Sequence, residues 1–381
     1  MTLLDRHLFK GVLATCLAAV ALFAFIVALP NVVRELLSPL LAGQFAPATF
    51  VRLVGLLLPF AISFALPMGM LTGILLTLGR LSADHEITAM RAAGLSLARI
   101  SRPVLILAAL GTALAIHINL ESAPWARAEF HRAFADAVRG NPMGIVVPKT
   151  FIRDFRGVVL YVGAKEGDEL RDIWLWDLDR ESRVRRLVRA ESGRLVYDEA
   201  TNSLVPTLVR ATIEERDGDN PESPARAPKV ATVERFEDVR ISLERYLGQS
   251  LVRIKTEWLT LGELRAARAR HAATVPAAGK EREHARELMN YDLLVQEKLS
   301  LATAVFSFAL LGIPLGIRVS RRETSANLGL AIVLVLAFYV LTAGAKALDQ
   351  RPEWRPDLLI WLPNVLFAGL GFRLFARIGR R

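Results

Sequence analysis

The side chains able to do chemistry form no catalytic constellation. His85-Glu86 opens like the zinc-binding pattern H-E-x-x-H, but position 89 is Ala, so the second imidazole is missing. The six histidines, at 7, 85, 117, 131, 271 and 284, are scattered without metal-ligand spacing. The absence of G-x-x-x-x-G-K-[ST] and of G-x-S-x-G excludes ATP binding through a P-loop and a serine nucleophile elbow. The single Cys16 permits no intrachain disulfide and no cysteine-based zinc site. We therefore expect no enzyme and no cofactor. What remains suits binding: carboxylates at Asp84 and Glu86, cations at Arg34 and Lys346 beside apolar runs, and the pair Trp174 and Trp176.

Six long uncharged runs must position these groups. They are Gly11–Pro30, Leu53–Leu78 and Pro103–Leu120, then Leu299–Ile317, Thr324–Ala345 and Leu358–Phe372. A helix rises about 1.5 Å per residue and the hydrocarbon core is about 30 Å thick, so roughly 20 apolar residues cross it. The last run reaches that length if its helix continues to Arg377. The fold class is a membrane α + β protein: six transmembrane helices, three plus three, around a large polar insert. Gly11–Pro30 is too long for a removed signal peptide and reads as a retained first helix.

Hydrophobic residues make up 52% of the chain, more than an ordinary soluble protein carries. The net charge is +10, yet residues 122–297 hold 29 Lys+Arg against 29 Asp+Glu. The whole excess therefore sits beside the apolar runs, which argues against nucleic-acid binding. Lys and Arg favour cytoplasmic loops. Arg6, Lys10, Arg80, Arg91, Arg99, Arg102, Arg318, Arg321, Arg322, Arg373 and Arg377 fall on one side, so both termini are expected in the cytoplasm. The insert then lies outside it.

Pro59, Pro67, Gly69 and Gly73 mark the second span as kinked and protein-facing. In the following cytoplasmic loop, Ser82 as N-cap, Asp84 and Glu86 in the first turn and Gly94 as stop predict a short helix over Ala83–Ala93. From about Gly144 to Leu247, short β-branched and aromatic runs separated by turn-formers predict a sandwich or open barrel. These runs are Val158–Val162, Ile173–Trp176, Arg194–Tyr197, Leu204–Ile213 and Val239–Leu243. Arg216–Lys229, with three prolines, reads as a loop, and Arg183, Arg185, Arg186 and Arg189 as a solvated edge or turn. Thr260-x-x-Glu263 matches a capping box, and a second helix is predicted from Glu281 into the fourth span. The expected domains are 1–121 (three spans), 122–255 (β insert), 256–297 (helical connector) and 298–381 (three spans).

Leu78–Gly94, LGRLSADHEITAMRAAG, and Lys298–Ile317, KLSLATAVFSFALLGIPLGI, resemble the lipopolysaccharide-export permeases of the LptF/LptG family. The likeness runs from Asp5-Arg6 to the last span, and Glu86-Ile87-Thr88 and Leu53–Leu78 look closer to the LptF branch. Ala302 stands where that family usually has proline, so the bend there is expected to differ. The first span also holds few basic residues near its outer edge.

The resemblance implies a permease subunit of an ABC transporter, located in the inner membrane, with a periplasmic β-jelly-roll insert. It implies as partners a cytosolic ATPase dimer, a second homologous permease, a periplasmic jelly-roll bridge protein and lipopolysaccharide. The short helix would dock on the ATPase through Asp84, Glu86, Ile87 and Met90; an amphipathic surface helix is the alternative. Arg34 and Lys346 would meet lipid phosphate, or else serve as interfacial anchors. Independently of any family, Ile173-Trp174-Leu175-Trp176 is apolar on both faces of its strand, so one face needs cover beyond the core. The resemblance assigns that cover to acyl chains, placing Trp174 and Trp176 among lipid-binding residues. A membrane-anchored scaffold that moves no substrate is the rival reading.

Overall fold

The structure is a computed structural model. It describes the chain except residues 1–2, 38–39, 41–45, 141–145, 147, 156, 168, 180, 199–202, 217–227, 238–240, 243–254, 275–279, 319–323, 349–354 and 380–381. Most of the expected Arg216–Lys229 loop and much of Val239–Leu243 lie outside the described residues. Two compact units result: Met1–Asn31, Leu56–Ala128 and Thr256–Arg381 form one, Val32–Gly55 and Glu129–Lys255 the other.

All six apolar runs lie in helices long and apolar enough to cross a membrane. The first half has α1 (Leu3–Val32), α2 (Pro47–Ala83), the short α3 (Glu86–Ala92), α4 (Leu97–His117) and α5 (Ala123–Gly140). A π-helical turn, Ile118–Ser122, joins α4 to α5. The second half has α6 (Leu261–Ala272), α7 (Glu281–Arg318), α8 (Thr324–Lys346), α9 (Pro356–Leu359) and α10 (Leu362–Gly379). α10 continues past Arg373 and Arg377, as its length requires.

Burial ranks these helices. The most apolar stretch of α7 is 67% buried and that of α8 only 17%, so α7 is central and α8 turns most of its apolar side chains outward. Leu71 and Leu75 of α2, Phe308 of α7, Phe338 of α8 and Phe367 of α10 share one cluster. Pro59 and Pro67 sit inside one unbroken helix. Gly69 and Gly73 let α2 meet α1 backbone to backbone: a Cβ on Gly73 would lie 2.6 Å from the Cα of Cys16. The second span is thus protein-facing, as its small residues predict.

The β insert takes the form of one antiparallel sheet ordered β1 to β6, with β7 beside β5. The strands are β1 (Phe151–Phe155), β2 (Val158–Glu166), β3 (Glu169–Leu178), β4 (Val184–Asp198), β5 (Ser203–Glu215), β6 (Lys229–Phe236) and β7 (Ile241–Ser242). The turn at Gly167, whose φ is +62°, returns β3 beside β2. Side chains from β1 to β6 fill one core, to which Phe134, Ala135 and Val146 add from outside the strands. Of the arginine cluster, Arg183 lies in the turn before β4 as expected, whereas Arg185, Arg186 and Arg189 lie within β4, which pairs on both sides and is no edge. Arg185 and Arg186 are held there by Asp177 of β3, at 3.2 and 3.3 Å.

Candidate functional site

The short helix is real but starts later than its sequence suggests. Ser82 is not its N-cap; it lies in the last turn of α2 and its hydroxyl donates to the Ile317 carbonyl at the foot of α7, 2.9 Å away. Asp84 falls outside the helix, in a two-residue joint where its N–H still bonds Arg80. His85 takes a left-handed conformation, φ 59°, and Glu86 is the first helical residue. The stop is as predicted. Gly94 has φ +86°, its N–H bonds the Arg91 carbonyl, and Leu95 N–H reaches back to Met90, which together close a Schellman motif.

Burial divides α3 into two sides. Ile87 is 2% exposed and Met90 is half-buried, both packed into the cluster built by α1, α2, α4 and α7. Asp84, His85, Glu86, Thr88, Ala89 and Arg91 are exposed. Ile87 therefore anchors the helix while Glu86 and Asp84 face outward. An ion pair missed from sequence braces this end: Arg99 of α4 reaches the buried Asp5 of α1 at 3.5 Å. Two residues 94 apart in the chain leave no local signal.

The two cation candidates differ. Arg34 lies in a π-helical turn, Val33–Leu37, with its side chain 78% exposed and Glu35 at 3.8 Å. Lys346 ends α8 and its Nζ donates to Glu297 of α7 at 2.9 Å. They belong to different units. Arg52 is paired with Glu129 at 2.8 Å.

Glu297 belongs to a polar collar on α7. Gln296 accepts from the Trp361 indole at 3.0 Å, and Lys298 donates to the Leu259 carbonyl at 2.8 Å. Ser300 donates to the Ile360 carbonyl at 2.8 Å and accepts from the Asn364 amide at 2.8 Å. Residues 296–300 so tie α8, α10 and the residue before the Thr260 cap to the middle of α7. The connector itself begins with the predicted capping box, the Thr260 N–H donating to Glu263 Oε2 at 2.9 Å.

On the sheet, alternation sends Ile173 and Leu175 into the core and turns Trp174 and Trp176 to the opposite face. There the two indoles stack at 5.9 Å and 20°. Phe151 lies 5.6 Å from Trp176 and 5.0 Å from Tyr161, and the Arg189 guanidinium sits 4.5 Å over the Trp174 ring. Cross-strand register builds this row: Phe151 opposes Tyr161, Tyr161 opposes Trp174, and Trp174 opposes Arg189. Asp172, in a left-handed conformation at φ 51°, accepts from the Trp174 indole at 2.9 Å. Asp172 and the seat of Arg189 over Trp174 have no local signal, because only the register reveals them. Trp174 and Trp176 are brought together, on the face away from the core.

Six helices long and apolar enough to cross a membrane, with an antiparallel sheet inserted between the third and fourth, make this a membrane α + β protein with a sheet insert. The chain belongs to the family described as the lipopolysaccharide export system permease LptF/LptG, whose model matches residues 6–377. It is 23% identical to the lipopolysaccharide export system permease protein LptF of Escherichia coli K12, over 97% of this chain and 93% of the relative. The same figures hold for LptF of Escherichia coli O157:H7 and of Shigella flexneri. The similarity to proteins named LptF agrees with the branch read from Glu86-Ile87-Thr88.

Proposed function

We propose that this chain is the permease subunit of an ABC transporter that extracts lipopolysaccharide from the inner membrane and passes it to a periplasmic bridge. Both termini and α3 then face the cytoplasm, and the sheet unit faces the periplasm, the orientation favoured by the Lys and Arg bias. A cytosolic ATPase dimer supplies hydrolysis. Because the described residues offer one such helix, a second homologous permease receives the other ATPase copy.

The observation that carries this reading is α3: a capped helix with a buried apolar underside and an exposed acidic front. A docking element must transmit force without rolling, and the seated Ile87 together with the Schellman closure gives it that rigidity. Asp84 and Glu86 then offer carboxylates to a partner groove, while Ile87 and Met90 hold them in place.

On the outer side, Arg34 has the more available charge for a headgroup phosphate, and Lys346 must first leave Glu297. Trp174 and Trp176 offer an apolar surface outside the closed sheet core. The need for such surfaces follows from magnitude. Moving acyl chains into water costs about 0.8 kcal/mol per CH₂, so a lipid with several chains faces on the order of tens of kcal/mol. Coupled hydrolysis and a covered path meet that barrier.

The test is ATP-dependent release of lipopolysaccharide from proteoliposomes holding this chain, its partner permease and the ATPase. Release that requires ATP supports the proposal. ATP-independent retention of lipid by an assembled complex would leave a membrane-anchored scaffold instead. A photo-crosslinker at Trp174 is expected to capture lipid during turnover, and one at Leu175 is not.

A further inference from the structure

Near its end α2 lies against two glycines of α7. A Cβ on Gly316 would come within 3.0 Å of the Leu78 Cβ and 3.4 Å of the Leu75 Cα, and one on Gly312 within 3.2 Å of Leu71 and 3.3 Å of Ile74. Without side chains at these positions the two helices close on each other. Leu78 and Leu81 of α2 and Ile313 of α7 are buried in the same cluster as Ile87 of α3.

A hydrogen bond fixes this contact at its foot. A helix leaves its last four carbonyls without an intrahelical partner, and Ile317 is the next-to-last residue of α7. Ser82 donates to that carbonyl at 2.9 Å and so caps α7 from another helix. A helical serine can instead turn its hydroxyl back to the carbonyl four residues earlier. Here the buried hydroxyl, on a residue 8% exposed, gives its one proton across the helix pair.

The chain passes from Ser82 into α3 through a joint bonded to the same turn. The Asp84 N–H donates to Arg80 at 2.9 Å and the His85 N–H to the Ser82 carbonyl at 3.2 Å, while the Ala89 N–H already bonds His85. Beyond α3 the corresponding tie is looser: Arg99 of α4, its side chain 41% exposed, meets Asp5 of α1 at 3.5 Å. The shorter and better buried of the two ties leads to α7.

We infer that Ser82 is a positioning residue: by capping the last turn of α7 it joins that helix to α2 just before α3, so that α3 and the foot of α7 move as one body when the ATPase acts on α3. The inference rests on the transport reading, in which α3 is the docking element.

The experiment uses the complete transporter in proteoliposomes and reads lipopolysaccharide released per ATP hydrolysed. Ser82→Ala is expected to assemble and to hydrolyse ATP within about twofold of wild type, while release per ATP falls about two- to tenfold, the range one hydrogen bond sets. Ser82→Thr keeps the hydroxyl and should stay within about twofold of wild type. Wild-type release per ATP in Ser82→Ala overturns the inference, and so does an equal loss in Ser82→Thr. A second reading follows the motion itself, with nitroxides on Ala93→Cys and Arg318→Cys, both exposed, in a Cys16→Ala background. Their separation should keep one narrow distribution with and without ATP, and broaden in Ser82→Ala. A wild-type separation that changes on ATP binding overturns the inference, and it decides alone if Ser82→Ala fails to assemble. A wild-type transporter that hydrolyses ATP without releasing lipid refutes the transport reading instead, and the separation still decides whether α3 and the foot of α7 move together.

Discussion

The α3 helix and the aromatic row of the sheet are both exposed surfaces on buried footings, but different forces hold them. Seven residues of α3 cannot sustain a helix alone. It persists because Ile87 is seated in the bundle and both ends are closed by backbone hydrogen bonds. The aromatic row sits on a sheet whose long strands already bury Leu160, Ile173, Leu175 and Val188 on the other side. One surface is held by its anchors, and the other by everything beneath it. Substitutions in the exposed layer should therefore spare the fold in both places, whereas those in the footing should damage them unequally.

The largest contrast is within α3. Ile87→Asp places a charge in an apolar cluster and is expected to cost about 3 kcal/mol or more, unseating the helix. Glu86→Ala alters an exposed position and should shift stability by no more than about 0.5 kcal/mol. On the docking proposal it nevertheless reduces ATP-driven lipid release at least about tenfold. Thermal unfolding of the purified chain and pull-down of the ATPase check both halves. Wild-type binding and turnover in Glu86→Ala would remove α3 from the ATPase interface.

In the sheet the same logic gives a smaller split. Leu175→Ala should cost about 2–5 kcal/mol, because it empties a fully buried position. Trp174→Ala removes half-buried ring contacts and should cost about 0.5–1.5 kcal/mol. Denaturant unfolding followed by tryptophan fluorescence measures the pair. Equal costs would mean that the outer face is packed as the inner one is.

Legibility in the sequence follows whether a feature is set locally. The six spans could be read because bilayer thickness imposes a run of about 20 apolar residues. The capping box at Thr260 and Glu263 and the stop at Gly94 involve residues three to five apart, and both appear as expected. The start of α3 was misplaced because the Ser82 hydroxyl is taken by Ile317, 235 residues away. Lys346 looked free because Glu297 lies on another helix. The arginines of β4 looked like a turn because like charges crowd there, and nothing local announces Asp177 across the ladder.

A subtler test separates the row from its footing by charge. The Arg189 guanidinium lies over the Trp174 ring, and Asp172 is 3.9 Å from it. A double-mutant cycle of Arg189→Ala and Trp174→Ala should give a coupling of about 0.5–1 kcal/mol, the range for an exposed cation on an aromatic face. Arg189→Lys should keep part of it. A coupling near zero would make Arg189 a bystander and the row purely apolar.

The smallest effect concerns Asp179, at the turn between β3 and β4. The Arg183 N–H donates to its carboxylate at 2.8 Å, as do the Arg183 side chain and the Glu181 N–H, and these hold its pKa below the ordinary carboxylate value. A lowered folded-state pKa favours the folded turn whenever the pH is above the ordinary value, and the contribution fades as pH falls through the depressed one. Because the group is exposed, the gain is local rather than global. Hydrogen-exchange protection of the Glu181 and Arg183 amides should fall as the pH drops below the carboxylate range, while amides of the Leu175 ladder keep theirs. Asp179→Asn should flatten that dependence. If protection at the turn and at the ladder fell together, the turn would be part of the sheet's cooperative core, and the sheet would share the all-or-none footing that α3 has.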